Sequence, residues 1–181
     1  LAQQFYYKTV HEDPLLDKGW LAITNFYIKE KKFEKALFYI NKALHIDTEN
    51  EVYWKKCAEI NVSLNQLDEA DFSFKQAVEF GDYSLNTWES WAMVVIQNKE
   101  FEAATQILLQ AIGFFPESAA LHYRLAFVLG VTQDIEQSKN YLAKALSLDP
   151  SLLSPFKSEY PGFFNHSWVI QFIGSSSKAS S

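Results

Sequence analysis

Residues that could do acid–base, nucleophilic or metal chemistry are few and scattered in this sequence. Its histidines are His11, His45, His122 and His166, and none lies three or four residues from another, the spacing that places two metal ligands on one helix face. Cys57 is the single cysteine, so neither an internal disulfide nor a cysteine-based zinc site can form. No phosphate-binding glycine loop, nucleophile elbow or zincin motif occurs. We therefore expect no enzyme activity, no cofactor and no metal.

Two of these residues are more simply interpreted as core side chains. Cys57 lies three residues after Trp54 on the inward stripe of a predicted helix, where a small apolar filler is the usual role. His122 occupies a position at which other parts of the chain place tryptophan, which favours a packed histidine. The paired carboxylates lie on predicted surface turns and faces, where no pocket is expected: Glu69 with Asp71, and Glu100 with Glu102.

Composition and charge exclude two classes of partner. The 181 residues are 48% hydrophobic, enough for a packed core, but no run of eighteen apolar residues could span a membrane. The net charge of −6 is spread along the chain, whereas nucleic-acid binders carry a basic patch. The single cysteine fits a reducing compartment, and we expect a cytoplasmic protein.

The strongest signal is an internal repeat of 34 residues. Trp20, Trp54 and Trp88 follow one another at this interval, and further positions keep the same step. Two series are small and two are large and apolar: Ala36, Ala70, Ala104 and Ser138; Ala43, Ala77, Ala111 and Ala145; Phe33, Leu67, Phe101 and Ile135; Ile40, Phe74, Leu108 and Leu142. The units are therefore 17–50, 51–84, 85–118 and 119–152.

Each unit contains two stretches of helical periodicity separated by a four-residue turn. In the first unit, Trp20, Ile23 and Tyr27 form one apolar stripe, and a second stripe begins at Phe33. The small residues allow two helices to approach closely, and large side chains from the facing helix fill the space beside them. Such a hairpin is too small to bury its own apolar faces, so we expect the hairpins to stack.

The pattern Trp-x2-Ile-Thr-x2-Tyr…Phe-x2-Ala-x3-Ile-x2-Ala over 20–43, repeated from Trp54, Trp88 and His122, resembles the tetratricopeptide repeat. This resemblance implies an all-α solenoid of helix–turn–helix hairpins wound into a right-handed superhelix. The chain departs from the pattern at the turn position that usually holds glycine, which is Lys31, Asn65, Lys99 and Gln133 here. Asn65 tolerates a left-handed backbone best, whereas the others must adopt another geometry or bear strain.

Both ends of the chain differ from the complete units. Residues 1–16 carry Ala2 and Pro14 in repeat register and are predicted to be the second helix of a truncated preceding hairpin, with further repeats upstream. Residues 153–174 are predicted to form capping helices, with Ser154 starting one helix, Tyr160-Pro161-Gly162 forming a turn and Gly174 ending the last helix. Residues 175–181 are predicted to be a disordered tail. The sequence after 152 also resembles the tails of bacterial repeat proteins, particularly those of Bacteroidetes.

The family resemblance implies that the first helices line a concave groove, so groove residues are those that lie off the packing stripe of these helices. The candidates are Asn25, Lys29, Lys55, Glu59, Glu89, Met93, Ile96, Gln97, Tyr123, Arg124 and Phe127. The first half of this set is polar, and the second half could accept an apolar helix or extended segment. A carboxylate clamp of the chaperone-binding type does not fit, because Glu59 would repel a carboxylate.

The leading functional prediction is a protein–protein interaction scaffold that binds a peptide or protein in this groove. Two alternatives stay open. Exposed hairpin ends could join copies of the chain into homo-oligomers, or the repeats could be a regulatory appendage of a larger enzyme.

The small-residue series generates a stability prediction. Ala104→Leu should overpack the third unit and lower the free energy of unfolding by about 1–3 kcal/mol. Urea unfolding followed by circular dichroism measures this change. An unchanged unfolding midpoint would count against close helix packing at this register.

Overall fold

The computed structural model describes residues 16–179, and the regular secondary structure in this range is helical. The elements are α1 (Asp17–Lys29), α2 (Phe33–Ile46), α3 (Glu51–Ser63), α4 (Leu67–Glu79), α5 (Leu85–Gln97), α6 (Phe101–Phe114), α7 (Ala119–Val131), α8 (Ile135–Leu148), a 3-10 helix (Pro150–Leu152), α9 (Leu153–Glu159), α10 (Pro161–Phe164) and α11 (Ser167–Ala179). Each 34-residue unit holds two of the first eight helices. The predicted all-α architecture of successive hairpins is confirmed.

The chain divides into two compact units at the bond between Asn98 and Lys99. In the first, α1 packs on α2, α2 on α3, α3 on α4 and α4 on α5. Ile23, Ile40 and Cys57 lie in its core, and Tyr53 Oη donates to Asp17 Oδ2 at 2.6 Å, joining α3 to the start of α1. In the second unit α6 packs on α7, α7 on α8, and the helices after 150 cover α7.

The small residues of the repeat are fully buried where helices approach one another. Ala36, Ala70 and Ala104 expose none of their surface. Ser138 takes the same position in the fourth unit, and its Oγ donates to the carbonyl oxygen of Ala126 at 2.6 Å. This bond satisfies a buried hydroxyl that would otherwise destabilise the hairpin.

The turns inside the hairpins adopt the left-handed conformation without glycine. Lys31, Asn65, Lys99 and Gln133 have φ values of 54°, 57°, 63° and 70°. The geometry follows from the helix ends, because an amide one residue after this position bonds back across the last turn, as Lys32 N does to the Tyr27 carbonyl at 2.9 Å. The sequence left two alternatives for the three residues other than Asn65, namely another geometry or strain. Because they adopt the left-handed conformation, they bear strain.

The C-terminal segment folds as three helices whose boundaries differ from those predicted. Asp149, not Ser154, begins it, since its side chain accepts from Ser151 N at 2.9 Å ahead of the 3-10 helix. Pro161 opens α10 rather than forming a turn, because its fixed φ suits the first position of a helix.

The last helix is longer than the sequence predicted. It continues through Gly174 to Ala179, so the expected disordered tail is wrong for residues 175–179. Glycine is tolerated inside a helix at a modest cost, and Ser175 Oγ donates to the carbonyl oxygen of Phe172 at 2.7 Å within it.

Some sequence predictions fall outside the described range. The truncated preceding hairpin over 1–16 lies there except for Leu16, and so do residues 180–181. None of the helices between residues 16 and 179 combines the length and the apolar character needed to cross a membrane.

The packing of α10 on α7 predicts opposite effects for two glycine substitutions. A Cβ added at Gly130 would lie 2.3 Å from a ring carbon of Phe163, whereas one at Gly113 would meet nothing within 4 Å. Gly130→Ala should lower the free energy of unfolding by about 1–3 kcal/mol through overpacking. Gly113→Ala should raise it by about 0.5–1 kcal/mol through its better helix propensity.

Urea unfolding of both variants, with tryptophan fluorescence and circular dichroism, tests this pair. Equal effects of the two substitutions would contradict the close approach of Phe163 to α7.

Candidate functional site

The first helices of the second and third units form a pocket in residues 16–98. It encloses about 210 Å³ between α3 and α5, with one residue of α4 behind them. We call it the groove pocket, and its lining residues are Glu59, Val62, Phe74, Ser90, Met93, Val94 and Gln97. Three of these, Glu59, Met93 and Gln97, were predicted from the sequence.

The wall of the groove pocket is mainly apolar and partly exposed. Val62 is 39% exposed and Met93 44%, while the Phe74 ring behind them is buried. Met93 is exposed because it lies on the opposite side of α5 from the packed residues Trp88 and Val95. An unbranched methionine adapts to different apolar shapes, so this pocket can accept an apolar side chain from outside.

The charges beside the groove pocket are already paired within the chain. Lys56 Nζ lies 2.8 Å from Glu59 Oε2, and Lys55 Nζ lies 3.3 Å from Asp82 Oδ2. Burial opposes ionisation of Asp82, but hydrogen bonds from Ser84 and Thr87 and the charge of Lys55 hold the pKa of its carboxyl below the ordinary value. Lys55, one of the polar residues predicted for this half of the groove, is therefore partly neutralised by Asp82.

The remaining predicted residues of this half differ in accessibility. Asn25 and Lys29 are exposed on α1, and Glu89 is half-buried on α5. Ile96 is only 8% exposed, so its assignment as a groove residue is wrong.

The corresponding face of the fourth unit is covered by the chain's own C-terminal segment. Tyr123 is fully buried and stacks on Phe156 with ring centroids 4.9 Å apart. Phe127 stacks on Tyr160 at 4.0 Å, and the Arg124 guanidinium lies 5.1 Å from the centre of the Phe156 ring. Burial, with a contribution from Asp149, raises the pKa of Tyr123 to about 12.

The prediction that Tyr123 and Arg124 are open to a partner is therefore wrong, whereas Phe127 is half-buried beneath Tyr160. They are groove-facing in register, but α9 and α10 occupy the space in front of them. The sequence predicted a cap and held a further signal, since Gly130 leaves room on α7 for the Phe163 ring. The 34-residue periodicity could not predict a contact between the C-terminal segment, which does not repeat, and this face of α7.

The isolated histidine and cysteine are core residues, as predicted. His122 is 4% exposed, its Nε2 lies 2.8 Å from the Pro116 carbonyl oxygen, and its ring stacks on Tyr141. Cys57 is 4% exposed, and burial raises the pKa of its thiol, which keeps it protonated and unreactive. Within residues 16–179, no three His, Cys, Asp or Glu side chains are grouped so that they could hold a metal ion.

Comparison with known protein families gives a match at two of the four units. The family described as "Tetratricopeptide repeat" matches residues 18–50 and 119–152. These ranges coincide with the first and fourth units of the 34-residue period.

Similar proteins and structures agree with this match. The chain is 20% identical over 152 residues to anaphase-promoting complex subunit 3 of Schizosaccharomyces pombe, covering 83% of the chain but 23% of that protein. A crystal structure of MamA protein superposes with a TM-score of 0.74 at 15% identity, covering 84% of each chain. YrrB, described as a TPR protein with an unusual peptide-binding site, superposes with a TM-score of 0.73 at 15% identity, covering 94% of this chain and 90% of YrrB. At these identities the structural likeness concerns the fold. None of these matches bears on a Bacteroidetes origin, which stays a prediction.

Proposed function

We propose that this chain, which belongs to the tetratricopeptide-repeat family, is a scaffold that binds a segment of a partner protein in the groove pocket. The observation that supports this most directly is the apolar pocket between two first helices, with Val62 and Met93 exposed at its wall. Peptide binding is also stated of YrrB, which has a similar fold. The ligand is then a helical or extended segment with one large apolar side chain as its anchor.

The surroundings of the pocket define the rest of the ligand. Gln97 and Ser90 line the pocket beside the apolar wall, and both can hydrogen-bond to the backbone or to polar side chains of a bound segment. Lys56 already neutralises Glu59, so a strongly charged anchor gains little there. Affinity therefore depends on burial of the apolar anchor, and the polar rim sets its orientation.

The test is binding of peptides selected from a random display library against the whole chain. Val62→Glu and Met93→Glu should each cost about 2 kcal/mol or more in binding free energy, because a bound apolar anchor would desolvate the new carboxylate. Isothermal titration calorimetry measures the loss, and circular dichroism checks that helicity is retained.

Phe38→Glu is the matched control. Phe38 is 57% exposed on α2, a second helix, and does not line the groove pocket, so the same apolar-to-acid change should leave peptide affinity unaltered. If the selected peptides bind the Val62 and Met93 variants as tightly as the unmodified chain, the groove pocket is not the binding site.

Self-assembly and attachment to an enzyme remain alternative proposals. For the assembly alternative we expect the predicted helix at the start of the chain to carry an apolar face with Phe5, Tyr6 and Tyr7, and these residues lie outside the described range. Light scattering over a hundredfold range of protein concentration, run on the same samples, separates it from peptide binding. A constant monomer mass would exclude assembly through these ends.

A further inference from the structure

A second pocket lies on the opposite side of α3 from the groove pocket. It has a volume of about 410 Å³, with α3 as its floor and α2 and α4 as its sides. We call it the Asn61 pocket, and its lining residues are Leu37, Asn41, Trp54, Cys57, Asn61, Gln66, Asp68, Glu69, Phe72 and Ser73. Its volume is within the range of small-ligand pockets, roughly 300–1,000 Å³.

The pocket exists because two large side chains of the first hairpin have small polar counterparts in the second. Tyr27 and Tyr39 stack in the first hairpin with ring centroids 5.3 Å apart. The residues 34 positions later are Asn61 and Ser73. The tyrosine pair fills the space between helices in the first hairpin, whereas the second hairpin leaves that space open as the Asn61 pocket.

Asn61 brings an unsatisfied polar group to the floor of this pocket. It is 3% exposed, and its Oδ1 has no hydrogen-bond partner. Its Nδ2 donates only a weak bond to Cys57 Sγ at 3.6 Å. Buried amides in proteins are normally satisfied, and exchanging the two ends of this carboxamide would only move the deficit from the oxygen to the nitrogen. A ligand that donates a hydrogen bond from inside the pocket satisfies this group once the carboxamide turns its oxygen toward the cavity.

The rest of the lining is rich in acceptors and negatively charged. Asp68 and Glu69 contribute two carboxylates, and no lysine or arginine lines the pocket. Asp68 Oδ1 accepts from Asn98 Nδ2 at 2.8 Å, which fixes this carboxylate on α4 without neutralising its charge. Asn41 and Gln66 add two more amide oxygens at the sides.

Two aromatic rings form part of the wall. Trp54 and Phe72 pack edge to face with centroids 5.7 Å apart, and Phe72 is 54% exposed. The Trp54 indole N–H already donates to the Thr48 carbonyl oxygen at 2.8 Å, which fixes the orientation of its ring. Ring faces beside carboxylates are a favourable environment for a cation.

We propose that the Asn61 pocket binds the side chain of an arginine presented by a partner protein. A guanidinium has five N–H donors and no acceptor, which matches a lining of amide oxygens and carboxylates in which Asn61 Oδ1 has no donor. Its plane can stack on Trp54 or Phe72 while its edge reaches Asn61 and the carboxylates of Asp68 and Glu69. This site is separate from the groove pocket and does not depend on the function proposed for it.

Competing occupants fit less well. A lysine ammonium has three donors and no plane, so it cannot both stack and reach acceptors on several sides. An uncharged amide would leave the carboxylates without a counter-charge.

Titration of the whole ¹⁵N-labelled chain with N-acetyl-arginine amide tests the proposal. Saturable shifts are expected at the Asn61 carboxamide and the Trp54 indole N–H in heteronuclear NMR spectra. N-acetyl-citrulline amide, which has nearly the same shape without the charge, and N-acetyl-lysine amide should bind about tenfold more weakly or less.

Two variants locate the site. Asn61→Tyr with Ser73→Tyr recreates the tyrosine pair of the first hairpin and should abolish the shifts at Trp54 while preserving helicity. Asp68→Asn with Glu69→Gln keeps the shape of the lining and should weaken binding about tenfold or more, which tests the charge even if the first variant folds poorly. Glu34→Gln is the control, since Glu34 holds the register of Asp68 in the first hairpin and does not line the pocket.

Three results would overturn the assignment. They are the absence of saturable shifts with the arginine probe, equal binding of the citrulline or lysine probe, and unchanged binding by the acid-to-amide variant.

Discussion

Close helix approach at small residues is the constraint from which the rest of this structure follows. Ala36, Ala43, Ala70 and Ala77 expose no surface, so no larger side chain fits at these positions without moving a helix. The close approach brings the large residues of facing helices into contact. It also fixes the same packing of two helices within each 34-residue unit. Positions off this stripe are then free to carry binding chemistry without disturbing the hairpin.

The same constraint explains the C-terminal segment. A hairpin in a repeat array buries its outer apolar face against the next hairpin, but residues 153–181 do not continue the repeat register. Instead, α9 and α10 place Phe156, Tyr160 and Phe163 on α7. These rings cover Tyr123 and Phe127, so the segment that completes the core also fills the groove-facing side of the fourth unit. The same contacts therefore cover the apolar face of the last hairpin and close the groove-facing side of the fourth unit.

Periodicity predicted the parts of the structure that repeat and failed for contacts that occur once. The helices of all four units follow from spacing, because each apolar stripe recurs with the same neighbours. The burial of Tyr123 could not be predicted, since it depends on a segment that matches no other part of the chain. The left-handed φ of Lys31, Lys99 and Gln133 could be predicted only in part. The turn length requires this conformation, although the residue types argue against it.

The candidate sites likewise contain some features that follow from the repeat and others that depend on contacts that occur only once. The exposure of Met93 follows from helical register, whereas the burial of Ile96 depends on packing around α5 that register alone does not specify. The Asn61 pocket could have been found from the sequence by comparing units at each register position. The replacement of Tyr27 and Tyr39 by Asn61 and Ser73 breaks two otherwise large positions at once. Spacing alone does not indicate that Asn61 and Ser73 border one cavity. That conclusion requires knowledge of how α2, α3 and α4 pack.

Energetics gives a reason to interpret the Asn61 pocket as functional rather than as a packing defect. An unsatisfied buried polar group costs about 1–3 kcal/mol, a large part of a typical stability of about 5–15 kcal/mol. An apolar residue at 61 would avoid this cost, and the third and fourth units place Val95 and Leu129 at that register. The free energy lost at this unsatisfied group is recovered when a donor ligand binds.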